Sequence, residues 1–337
     1  MDTILPRRRL LAAGASLLVL GACTRGLPRT PELGPIAAMF PGRIDDAGFI
    51  EAGYRGLARI RDELGIPVRF VDQVPPDDEA MKAALRELAD SDATMVIAHG
   101  SDASEAVQRV AWEFPEQRFA VVQGFLMRPN LAIYEVLQEQ SAWLAGAAAG
   151  LLTKSSVVGH MAGARARPGL KARAAFAAGL AHTNAKARLL THFSGAEDDP
   201  AVAKRIALAE IDAGADILYT MLDAGRAGAI AACRERGVQQ IGNVRDWVAA
   251  VPDVFVAAAI ADAGVAVFEV GRDLFDTLWK GDRVKRIGVR NPAAVRLTLA
   301  ASVPEAVPAR IALLTHEIAI GRIRIPEEYA GPEFDPV

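Results

Sequence analysis

The polar and aromatic residues able to act on a small molecule stand mostly where short apolar runs end. Asp45-Asp46 follows the run 34–40, His99 closes "ATMVIAH", and Gln123 closes "RFAVVQ". Tyr219 lies in "ADILYTM", while Asn243, Asp246 and Trp247 fall together in "VQQIGNVRDW". Carboxylates accept from amino, imino and hydroxyl groups, and amides both donate and accept. That combination suits recognition. Signs of catalysis are missing from the sequence. Adjacent acids such as Asp45-Asp46 and Asp198-Asp199 project differently and fit helix caps and first-turn positions better than an acid/base pair. The histidines at 99, 160, 182, 192 and 316 are scattered, with no H-E-x-x-H and no cysteine partners, so no metal site is expected. The chain has neither a G-x-x-x-x-G-K-[ST] phosphate loop nor a G-x-S-x-G elbow, and "GARARPG" lacks dinucleotide-loop spacing. No cofactor is expected.

The elements that must hold these residues alternate. From Gly34, apolar β-type runs (34–40, 68–74, 93–99, 118–123) alternate with helical patterns, and a second series begins after "LAIYEV" at 131–136. Strands apolar on both faces belong in parallel sheets covered by helices on both sides. Two such series predict an α/β protein of two doubly wound parallel-sheet lobes, with a ligand cleft between them at the strand carboxyl ends. The expected division is 34–125 plus about 243–285 for one lobe and 130–242 plus about 286–325 for the other, then a tail from 326 to 337.

The first residues address the chain. Arg7, Arg8 and Arg9 precede an apolar stretch, Leu10 to Leu20, too short to span a bilayer of roughly 30 Å. The sequence Leu20-Gly21-Ala22-Cys23 follows and resembles a bacterial lipobox. Residues 1–22 therefore read as a signal peptide, Cys23 as the lipidation site, and 23–33 as a flexible linker. The "RRRLL" segment fits either the Sec or the twin-arginine route, and the mature chain is expected on the periplasmic side, lipid-anchored to a membrane. With Cys23 lipidated, Cys233 is left as a buried small residue. A formal net charge of −3 without basic clusters argues against a nucleic-acid surface.

The ordered segments "AAMF", "DDAGF", "AGYRGL", "LQEQSAWLAGAAAGLL", "GADILYTMLDAGRAGAI" and "RGVQQIGNVRDW" resemble the basic membrane protein family of ABC-transporter solute-binding lipoproteins, which includes purine nucleoside receptors. The resemblance covers about Ile36 to Arg324. It implies a type I periplasmic binding protein fold, a purine held between aromatic rings and carboxylates, and ABC permease and ATPase partners. By position, Asp46 and Phe49 match the family's first turn, and Tyr219 matches its strand-end aromatic. The chain also departs from the pattern. Ile50, Gln123 and Asn243 stand where the family has Asn and two acids, and "FVAAAIADAG" lacks the family lysine. Gln123 and Asn243 suit a neutral nucleobase edge, so a free base is expected at least as readily as a nucleoside. An extracytoplasmic hydrolase using the acids near Asp45 and Asp246, or a ligand sensor, are the alternatives.

Overall fold

The computed structural model describes residues 33–336; the expected signal peptide, Cys23 and most of the linker lie outside them. The first sheet contains β1 (Ile36–Met39), β2 (Val68–Val71), β3 (Met95–His99), β4 (Phe119–Val122) and β5 (Leu131–Val136). The second contains β6 (Val157–Ala162), β7 (Arg188–Phe193), β8 (Ile217–Met221), β9 (Gln239–Val244) and β10 (Phe255–Ala261). Then β11 (Val284–Ile287) returns to the first sheet and β12 (Val295–Leu299) to the second. The orders are β11-β5-β4-β3-β1-β2 and β12-β10-β9-β8-β6-β7, and the one antiparallel pair among them is β10 with β12.

Helices alternate with these strands. They are α1 (Phe49–Leu64), α2 (Asp78–Ala89), α3 (Ser104–Glu113), α4 (Gln138–Leu152) and α5 (Arg167–Thr183). The series continues with α6 (Pro200–Asp212), α7 (Arg226–Arg236), α8 (Trp247–Ala250), α9 (Ala263–Phe275) and α10 (Ala306–Ala319). The caps follow the sequence: Asp77, Asp199 and Asp262 each accept from backbone amides of the helix they precede. β1, β3, β4 and β8 are buried throughout, as strands covered on both faces should be. Cys233 is a buried free thiol, pushed up to about 12 by burial.

The assignment of strands to lobes differs from expectation. β5 pairs with β4 in the first sheet, although residues from 130 were expected in the second lobe. β10 pairs with β9 in the second sheet, although 243–285 was expected in the first. β4 and β10 are buried throughout and β5 at five of its six positions, so the pattern identifies a strand without identifying its sheet. The chain consequently crosses between sheets after β5, β10 and β11. At the second crossing α9 returns to pack along α1, where a Cβ on Gly56 would stand 2.2 Å from the Gly264 carbonyl. The segment after α10 is docked: Phe334 N–H donates to the Thr191 carbonyl of β7 (2.8 Å), and Glu333 pairs with Arg173 (2.6 Å) and Arg165.

Candidate functional site

The turn between β1 and α1 is organised by Asp46. Its carboxylate accepts from the backbone amides of Gly48 (2.7 Å), Ile50 (3.0 Å) and Glu51 (3.0 Å), which would otherwise be orphaned at the helix start. Burial raises the Asp46 carboxyl above its usual range despite those bonds. Phe49 opens α1, and its ring stacks on His99 at 4.2 Å and 25°. The His99 ring is fully buried, with Nε2 3.0 Å from the Phe49 carbonyl and Nδ1 unpartnered. Burial pushes the imidazole down to about 4, so it is neutral at pH 7. His99 thus lies beneath Phe49 and supports its ring from below.

The facing turn of the second lobe carries acids that the sequence reading did not single out. Phe49 N–H donates to Asp223 Oδ1 across the lobes at 3.4 Å. A Cβ on Gly48 would stand 1.8 Å from that same oxygen, so only glycine allows the approach. Asp223 is pushed up to about 7, first by burial and then by the charges of Asp46 and Glu197. Glu197 is itself raised, mainly by burial, and accepts from Ala164 N–H at 3.1 Å. The nearby cation is largely committed elsewhere. Arg226 is 2% exposed and donates to the carbonyls of Thr220 (2.9 Å) and Leu222 and to Asn243 Oδ1. Burial lowers Arg226 to about 10.

The other sequence-expected residues fall around this core. Asn243 presents its side-chain oxygen to Arg226 and its carbonyl to Trp247 Nε1 (3.0 Å). Trp247 lies against Phe255, with the Arg226 and Arg245 guanidiniums 4.6 and 4.8 Å from its ring centre. Asp246 caps α8 by accepting from Ala249 N–H (3.2 Å) and also accepts from Thr298 Oγ1 (3.2 Å). Tyr219 is 1% exposed and stacked on Phe176 at 4.6 Å, inside the second lobe. Gln123 sits at φ 64° and turns its amide back on the sheet, donating to the Val136 carbonyl (3.1 Å) and accepting from Val136 N–H (2.8 Å). That side chain extends the β4–β5 ladder, a use that its position after an apolar run does not reveal. Asp223 follows the apolar run "ILYTML" just as Gln123 follows "FAVV", so the same strand-end rule would have found it. Among the described residues no cluster of His, Cys, Asp and Glu is arranged to hold a metal ion.

Residues 35–328 match the family model of the PnrA-like ABC transporter substrate-binding proteins, the Bmp family. The chain belongs to this family. Among its relatives, Basic membrane protein A of Borreliella burgdorferi is 21% identical, over 80% of this chain and 83% of its own. The transcriptional activator protein med of Bacillus subtilis is 22% identical over 71% of this chain and 74% of its own. An uncharacterized lipoprotein of Pyrococcus abyssi is 24% identical over 73% of this chain and 65% of its own. In fold the chain is similar to an ABC transporter solute-binding protein of Aeropyrum pernix, with a TM-score of 0.77 at 19% identity over 88% and 94% of the two chains. It is also similar to a transcriptional activator of the comK gene from Bacillus halodurans, with a TM-score of 0.73 at 18% identity over 87% and 100%. The Bmp fold is thus of the type I periplasmic solute-binding kind. Membership implies a small-molecule ligand, permease and ATPase partners and an extracytoplasmic setting. No helix among the described residues is long and apolar enough to cross a membrane.

Proposed function

We propose that this Bmp-family protein is a lipid-anchored receptor that captures a purine base or nucleoside-like heterocycle by closing its lobes, then delivers it unchanged to an ABC permease. The observation that carries the reading is the cross-lobe contact of Phe49 N–H with Asp223, beside Asp46 and Glu197. Three carboxylates near one another, with Arg226 committed to carbonyls and to the Thr220 and Asn243 side chains, suit a ligand rich in N–H and O–H donors. The Phe49 ring, backed by His99, offers a flat apolar face for stacking. Asn243 and Trp247 border the site from the second lobe, and Asp246 holds the turn that carries them. A ligand seated here replaces the direct Phe49–Asp223 contact with its own bonds to both lobes and so favours the closed form. Asp45 is exposed and ion-paired with Arg43, and Asp246 is engaged in capping α8 and bonding Thr298, which weighs against a hydrolase built on these acids.

The test is a thermal-shift screen against nucleobases, nucleosides, amino acids and sugars, followed by recovery of the bound compound. Stabilisation by a purine recovered unchanged supports the receptor; a converted product overturns it. A ligand sensor is the second reading, favoured by the two similar proteins named as transcriptional activators. It uses the same pocket but signals to a different partner.

A further inference from the structure

A cavity of about 540 Å³ lies between the β5/β11 edge of the first sheet, the start of α5 and the segment after α10. None of the residues of the carboxylate site lines it. Its size falls in the range of small-molecule pockets, roughly 300–1,000 Å³. Its floor is a buried ion-pair hub. Lys171, 6% exposed, reaches from α5 to Glu135 of β5 and Glu139 of α4, each at 2.9 Å. Its remaining contact, to the exposed Glu327, is longer at 3.5 Å. Glu135 is also bonded by Arg286 of β11 (3.2 Å), so the paired charges at the floor are largely satisfied among themselves.

Two cations on the wall are left over. Arg167 lies 5.9 Å from the Phe125 ring centre, and among the described residues neither it nor Arg324 has a carboxylate partner. Apolar side chains, including Phe125, Ile133 and Ile323, share the wall with the polar Gln140 and Glu327. Two unpaired guanidiniums, a buried ammonium with one weakly used proton and an apolar wall describe a receptor for an organic anion. We infer that this cavity is a second ligand site, for a small molecule carrying a carboxylate or a phosphate on an apolar body. The anion takes the bonds of Arg167 and Arg324 and competes with Glu327 for Lys171, while the apolar body lies against Phe125 and Ile133. The site is independent of what the carboxylate cleft binds.

Isothermal titration of the purified chain with phenyl phosphate, phenylacetate and neutral benzyl alcohol tests this, the first two distinguishing the phosphate from the carboxylate source. At least one anion is expected to bind saturably and benzyl alcohol not at all. Arg167→Gln with Arg324→Gln should weaken that binding by about tenfold or more. Glu327→Gln, which releases the third proton of Lys171, should strengthen it by about threefold, and Asp223→Asn should leave it unchanged. The inference is overturned by no saturable binding of either anion below about 10 mM, by affinity unchanged in the double variant, or by loss of binding in Asp223→Asn.

Discussion

The backbone amide of Phe49, at the start of α1, donates to the carboxylate of Asp223, at the end of β8, at 3.4 Å across the two lobes. Glycine at position 48 permits that approach, and Asp46 on one side and Glu197 on the other add negative charge to it. The junction of the two lobes therefore gathers carboxylates with raised proton affinity, which has measurable consequences.

The Asp223 carboxyl titrates at about 7 in the folded protein, against an ordinary value near 4. Between those pH values the folded state holds a proton that the unfolded chain has lost, so this group makes stability fall as pH rises through the window. Asp223→Asn removes the effect. Urea unfolding should find the variant more stable than the wild type at pH 8, on the order of 2 kcal/mol, and nearly equal at pH 4.5. An equal difference at both pH values would show that the carboxyl does not titrate as described.

Gly53 packs directly on the buried His99 ring, and a Cβ there would stand 2.4 to 2.7 Å from three imidazole atoms. Neither the ring nor α1 can move without disturbing the Phe49 stack. Gly53→Ala should cost about 1–3 kcal/mol in thermal or urea unfolding, although alanine is the better helix former. A neutral or stabilising result would mean that His99 is not fixed beneath Phe49.

Phe49 and Trp247 should separate in their effects. Trp247 is packed between Phe255 and two guanidiniums with its N–H bonded to Asn243, so Trp247→Ala should destabilise the fold by about 3–5 kcal/mol. Phe49 is half-buried at the lobe junction. Phe49→Ala should weaken heterocycle binding by about 1–3 kcal/mol, the scale of base stacking. Calorimetric binding and unfolding on both variants check the division; unchanged affinity in Phe49→Ala would remove the stacking role.

Cys23 is expected to carry the lipid that holds the protein to the membrane. Cys23→Ser should move the protein from membrane to soluble fractions or leave it unprocessed. Retention of fully processed Cys23→Ser in the membrane would point to a different anchor.

Much of the fold was legible because its signals are local. Runs such as "IAAM" and "MVIAH" are buried strands, and Asp77, Asp199 and Asp262 cap the helices they precede. Membership of a sheet is not local: β5 and β10 look like their neighbours and differ only in which strand they pair with. The site shows the same limit. The capping role of Asp46 at α1 could be read from the turn, whereas Gln123 bonds to Val136, and Asp223 meets Phe49 only across a sequence separation of 174 residues.

The most direct test of the central claim is the melting temperature of the purified chain with adenine, guanine and their nucleosides, compared between wild type and Asp223→Asn. The account predicts that at least one purine raises the wild-type melting temperature, that the shift is largely lost in Asp223→Asn, and that the purine is recovered unchanged. No shift with any purine alongside a clear shift with a sugar or an amino acid, or recovery of a converted product, would contradict it.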